Sequence, residues 1–411
     1  MSGQGITVPT GARTRAVSTA WDDARSVSFG AVGRMLPQQT VPLREGYGRV
    51  LAQAVTALVD VPHYASSAMD GWAVADVAAG EWTVLASPAT GGESPRLANG
   101  QALPIVTGAL VRAGTSAVLR SEQGELSAGL LRSTSADAPH PGQHVRRVAT
   151  EAAVGDTVID AGTVLNPAHL ALAAGCGRDR LSVVSRPRVA LVLTGDEVVD
   201  SGIPNPGQVR DSFGPQLPHV VELLGGTVSS LARVPDNAAA LRSALLQDAR
   251  ASELVITTGG TGRSTADHLR ATLAGLGATV LIDSVAMRPG GPTMLWRLPD
   301  ERFVIALPGN PLAAMVGLMT VAVPLVAAML GSALPATGDV RVAAEAPGRA
   351  GTTLLVPFRL ADGGAVTSDW TGSGMMRGLA DADGVLVVPP EGVRAGGTSR
   401  VIDLPWGGRR A

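Results

Sequence analysis

Three apolar runs share one pattern: each is dense in Val, Ile and Leu, and each breaks on a turn rich in glycine, proline or acid. They are "RVALVLTGDE" from Arg188 to Glu197, "ELVITTGGTG" from Glu253 to Gly262, and "RFVIALPGNP" from Arg302 to Pro311. Near-continuous apolar strands of this kind are buried on both faces, as in a parallel sheet. Between them lie segments with helical spacing, of which Leu269, Leu273 and Leu276 form one apolar stripe. The alternation over residues 186–330 predicts a parallel-rich sheet covered by helices on both faces. In such sheets ligands sit where the loops converge beyond the carboxyl ends of the strands.

The flanking text differs. Residues about 15 to 60 read as helical, on the apolar spacing of "WDDARSVSFGAVGRML" before Pro37. Up to about 150, short β-prone runs such as "EWTVLA", "ALPIVTGA" and "SAVLRSE" alternate with Gly and Pro turns and predict a small all-β unit. A second helical piece, "NPAHLALAAGCG", begins at Pro167, so the β unit reads as an insertion into a helical one. Beyond about 331, "TTLLVPFRL" and "GVLVVPPEG" predict a C-terminal β-barrel or sandwich. The uncharged stretch from Ala313 to Leu330 is just long enough to span a membrane. Pro324 within it, the strand directly before it and the lack of basic or aromatic anchors favour a buried core helix instead.

Composition narrows the chemistry. A chain of 411 residues predicts two to four domains. The formal charge is −2, and the Arg residues are scattered, which argues against nucleic-acid binding. One cysteine, Cys176, supports neither a disulfide framework nor a thiolate metal cluster. The first residues lack the apolar core of a signal peptide, so a cytoplasmic location is expected. All 33 basic residues are Arg, which excludes a Schiff-base lysine and a P-loop lysine. A bound anion must meet Arg, a metal ion or backbone N–H groups.

Gly259, Gly260 and Gly262 allow positive φ and close approach of the backbone to a ligand. Ser264 or Thr265 can cap the helix that follows, whose positive end favours an oxyanion. A plain tight connection is the alternative reading of this turn. Asp196, Glu197, Asp211, Asp236 and Asp267 recur near the strand ends, and a hard cation such as Mg²⁺ would reconcile them with a phosphate. Asp236, before an Ala-rich helix, reads first as its cap. In "PHYASSAMDGWAV", Asp70-Gly71 marks a turn that gathers Ser66, Ser67 and Asp70.

Taken in order, "SAMDGWAV", "PIVTGALVRAGTSAVLRSE", "HVRRVATE", "RPRVALVLTGDEVV", "GQVRDSFGPQL", "TTGGTGRSTADHL", "VAMRPGGP", "LPGNPLAAM" and "GSGMMRGLADADGVLVV" resemble the molybdopterin molybdenumtransferases, the MoeA and gephyrin E-domain family. The resemblance covers nearly the whole chain. It implies an α/β multidomain fold: a helical linking domain in two pieces, 15–51 and 153–185; an inserted β domain, 52–152; a MoaB/MogA-like α/β domain with a parallel-rich sheet, 186–330; and a C-terminal β-barrel-like domain, 331–411. It also implies a homodimer with active sites at the subunit interface, and use of adenylylated molybdopterin, molybdate and Mg²⁺ with release of AMP. Molybdopterin adenylyltransferase and recipient molybdoenzymes are the further partners it suggests.

By matching position, the resemblance gives Asp70 and Thr107 to the inserted domain, reaching toward the partner's crevice. Glu197, Asp236 and Asp267 become the acids for metal and nucleotide, with Glu197 and Asp267 also catalytic. Gly259, Gly260, Gly262, Arg288, Pro308, Pro311 and Ser373 border the anion, and Glu151 stands where the family has an Asp. The chain departs from the family at Gly291, where a Lys is usual, at Ser284, where a basic residue is usual, and at Thr265, where an acid is usual. Arg263, new in the glycine turn, is expected to replace one lost ammonium with a bidentate guanidinium. An active molybdenum insertase is the first reading. A family fold that binds the pterin nucleotide as a scaffold with weakened turnover is the second, and a free-standing nucleotidyltransferase the third.

Overall fold

A computed structural model describes residues 18–86, 96–135, 139–261 and 268–407. The chain divides into two compact units, residues 39–183 and the remainder. In the remainder, the first three apolar runs become adjacent strands. We label this sheet β1 (Arg188–Thr194), β2 (Thr227–Val234), β3 (Leu254–Thr258), β4 (Thr279–Ile282), β5 (Met294–Arg297) and β6 (Phe303–Leu307). Its order is β2-β1-β3-β6-β5-β4. β2, β1, β3 and β6 run parallel, while β5 and β4 are antiparallel additions at one edge. Every residue of β3 and β6 is buried, as expected of strands covered on both faces.

One face of this sheet packs Ala190, Val192, Val255, Val304 and Ala306 against Leu241, Leu245, Leu269 and Leu273 from the covering helices. Leu276 packs against the same cluster and completes the predicted stripe. Helix α1, Trp21–Gly30, packs against the long helix Pro311–Met329, where Trp21 Nε1 donates to Thr320 Oγ1 at 3.1 Å. That long helix is apolar enough to cross a membrane, yet 83% of its most apolar window is buried inside the protein. It is a core helix, as Pro324 and the missing anchors suggested. A second sheet, formed by the C-terminal strands, includes Met287–Arg288 as an edge strand running parallel to Thr353–Leu354.

The unit over 39–183 holds the expected β layer, with Gly71–Val74 between Gln101–Ile105 and Ala117–Arg120. Gly71 is required there: its φ is +148°, and a Cβ would sit 2.0 Å from the Leu119 carbonyl oxygen. The helical reading of residues 15 to 60 needs correction. Helix Trp21–Gly30 is present, but Gln38–Pro42 and Val55–Thr56 are strands and Leu43–Glu45 a single 3₁₀ turn. Pro42, Gly46 and Gly48 break any helix here, and Thr40, Val41, Val55 and Thr56 are β-branched residues that fit strands. The linking region is therefore not a helical domain. Its core of Val41, Leu51, Val55, Ile159, Leu165, Leu181 and Val183 is built mainly from strands, with one helix, Pro167–Gly175.

Candidate functional site

β1, β3 and β6 end side by side, so the turns after them converge. They enclose a crevice of about 580 Å³ lined by Gly195, Glu197, Asp211, Arg233, Asp236, Gly259, Gly260, Gly309, Asn310 and Pro311, among others. Gly259 closes the turn at φ +82°, its N–H donating to the Leu307 carbonyl at 3.0 Å; a Cβ there would meet Thr194 Oγ1 at 2.6 Å. Gly260 follows at φ +61°. The segment carrying Glu197 is held against that carrying Asp211 by a short parallel pairing of Val198–Val199 with Val209–Arg210.

The acids in the crevice differ in what they can do. Asp211 is committed: it accepts from Arg233 at 2.6 Å and from the Phe213 and Gly214 N–H groups. Asp196 and Asp236 brace each other, each backbone N–H donating to the other's carboxylate at 3.4 and 3.2 Å. Asp236 is not the helix cap; Asn237 is, accepting from the Ala240 N–H at 2.8 Å. The sequence reading was one residue off because Asp and Asn are equivalent N-caps and stand side by side. Glu197 is exposed to the crevice.

A second cavity, about 420 Å³, opens on the other side of the "LPGNP" turn. Its lining includes Arg288, Gly291, Pro308, Asn310, Arg349 and Ser373. Arg288 arrives because the Met287–Arg288 strand leaves the central domain to join the C-terminal sheet. Arg349 is the residue the sequence reading missed. It lies on a turn fixed by Gly348, where a Cβ would meet the Gly392 nitrogen and the Pro390 oxygen at 2.3 Å. A lone Arg in "APGRAG" carries no local signal of its destination. Ser373 also ties the 371–374 loop to the long helix, its carbonyl accepting from the Ala313 N–H at 3.0 Å.

The predicted set thus divides. Gly259, Gly260, Pro311, Glu197 and Asp236 share the acid-lined crevice, while Arg288, Pro308 and Ser373 share the cationic cavity. Gly262, Arg263, Thr265 and Asp267 lie outside the described residues, as does the predicted cap at Ser264. Ser284 does not line the second cavity; its hydroxyl pairs with Ser18 and its carbonyl accepts from the Thr19 N–H. In the 39–183 unit, Asp70 accepts from both the backbone N–H of Thr107 (2.6 Å) and its hydroxyl (2.8 Å), which holds its carboxyl below the usual range. Asp70 lines a cavity of about 1020 Å³ with Trp72, Ile105, Leu110 and Arg112, within that unit. Glu151 is exposed, and its N–H donates to the Val61 carbonyl.

Among the described residues no group of three or more His, Cys, Asp or Glu could hold a metal ion. Glu197 and Asp236 nevertheless fit Mg²⁺ chemically. They face one crevice, neither is paired with a guanidinium among the described residues, and Mg²⁺ is commonly held by one or two carboxylates plus substrate oxygens.

A parallel-rich sheet covered by helices, with a crevice where its loop turns converge, defines an α/β class of fold that takes ligands beyond the carboxyl ends of its strands. A family model described as the MoeA N-terminal region (domain I and II) matches residues 19–177, and one described as a probable molybdopterin binding domain matches 190–328. A molybdopterin molybdenumtransferase of Haemophilus influenzae is 31% identical over 75% of this chain and 77% of its own length. One from Nostoc is 34% identical over 72% of this chain and 70% of its own. The crystal structure of a Pyrococcus molybdopterin biosynthesis MoeA protein, 25% identical, covers 95% of this chain and 100% of its own with a TM-score of 0.77. The chain belongs to the molybdopterin molybdenumtransferase family.

Proposed function

We propose that this protein, in the cytoplasm, inserts molybdenum into adenylylated molybdopterin, consuming molybdate and releasing AMP; its relatives carry the name molybdopterin molybdenumtransferase. The observation that carries the reading is the pair of cavities on either side of Asn310. A substrate with its nucleotide in the acid-lined crevice would present its pterin end toward the cavity of Arg288 and Arg349. Two guanidiniums suit a dianionic oxide, and Arg349 supplies positive charge on the side where Gly291 provides none. Glu197 and Asp236 would hold Mg²⁺, which when bound neutralises the phosphates and polarises their oxygens. Gly259 and Gly260 let the nucleotide approach the turn without a Cβ in the way. Asp267 and Arg263 belong to the same reading, on the turn and its charge.

Two copies complete the arrangement, Asp70 and Thr107 of one reaching the crevice of the other. The adenylyltransferase that makes the substrate and the enzymes that take the cofactor are the expected partners. Purified protein given adenylylated molybdopterin, molybdate and Mg²⁺ should release AMP only when molybdate is present. Tight binding without molybdate-dependent release would instead support the scaffold reading, which the Gly291 and Ser284 departures favour.

A further inference from the structure

Asn310 lies where the acid-lined crevice and the cationic cavity meet, and it is one of the residues lining both. It precedes the Pro311–Met329 helix at the N-cap position, yet its side chain makes no capping hydrogen bond. Its backbone carbonyl accepts from the Ala314 N–H at 2.9 Å, but among the described residues its side chain has no hydrogen bond, and it is exposed. Its amide stands against the 371–374 loop, the Oδ1 atom 3.8 Å from where a Cβ on Gly374 would be. Gly374 lines the first cavity and Ser373 the second, so one loop and one amide form the divide. On one side of it lie the carboxylates Glu197, Asp211 and Asp236, with Arg210 and with Arg233, which is paired to Asp211; on the other lie two guanidiniums, Arg288 and Arg349, and no carboxylate.

From this placement we infer that Asn310 is a positioning residue. Its amide N–H donates to an oxygen of the bond linking nucleotide and pterin phosphate, fixing that bond between the two half-sites. This rests on the reading of the two cavities as nucleotide and oxyanion sites. The border suits a neutral donor: a cation there would pair with the acids, and a carboxylate would repel the phosphate. A hydrogen-bond donor counts most where negative charge develops as the bond breaks.

The test separates loading from turnover. Calorimetry would give the affinities of wild type, Asn310→Ala and Asn310→Asp for AMP and, separately, for tungstate. AMP release would give kcat and KM for adenylylated molybdopterin. Both variants should keep the wild-type melting temperature and bind AMP and tungstate within about twofold of wild type. Their kcat should fall about ten- to a hundredfold, the range for losing one hydrogen bond to a charged group. The Asp variant keeps the shape but lacks the donor, so its loss should equal or exceed that of Ala. Full turnover by either variant defeats the inference alone, and so does a loss of AMP or tungstate affinity that accounts for the fall in kcat. A wild type that releases no AMP defeats the underlying reading, and this inference with it.

Discussion

Gly259 carries two constraints at once, a left-handed φ and a Thr194 hydroxyl where a Cβ would be. A non-glycine residue held in that region costs about 1–3 kcal/mol before the steric clash is added. Gly259→Ala should therefore lower the thermal midpoint measurably in a melting experiment, and an unchanged midpoint would show that the turn relaxes. Asp70 offers a test of sign. Because its folded pKa is depressed by Thr107, its contribution to stability holds above the ordinary value of 3.8 and is lost as pH falls through the lower folded value. Removing both the hydroxyl and its hydrogen bond in Thr107→Ala should move the Asp70 titration back toward 3.8, followed by carboxyl carbon NMR. The backbone donor remains, so the return is partial; an unmoved titration would contradict the assignment of the hydroxyl.

Helix ends separate a stabilising role from a chemical one. Asn237→Ala removes the cap of Ala238–Ser243 and should cost about 1 kcal/mol of stability, read from denaturant unfolding. Asp236→Ala removes no cap and should instead weaken the Mg²⁺ dependence of AMP release; a stability loss equal to that of Asn237→Ala would return Asp236 to a structural role. The same comparison shows what was legible beforehand. The three strand-turn units were readable because buried parallel strands are dense in Val, Ile and Leu and their ends need glycine or proline, both local properties. The helix start at Pro167 was readable for the same reason, while the capping box that closes it pairs Asn166 with His169. The strands of 38–60 were not, since short apolar runs fit helix and strand alike and only their pairing decides. Nor was the separation of Arg288 from the glycine turn, which arises when Met287–Arg288 joins a distant sheet, or the arrival of Arg349 beside it.

For the whole molecule, the proposed shared site makes assembly part of the chemistry. Sedimentation equilibrium should find a species of twice the 41.6 kDa chain mass. Mixing inactive Asp70→Ala and Glu197→Ala proteins should restore part of the activity, because exchanged dimers would contain one site with neither change. No restoration after demonstrated subunit exchange would put each site within one copy. The central claim is that oxyanion and nucleotide occupy separate, adjoining cavities. A crystal grown with AMP and soaked in tungstate tests it most directly, through the anomalous signal of tungsten. The account predicts tungsten between Arg288, Arg349 and Ser373 with the AMP phosphate against Gly259 and Gly260; tungsten seated in the glycine turn, or absent from the arginine cavity, would contradict it.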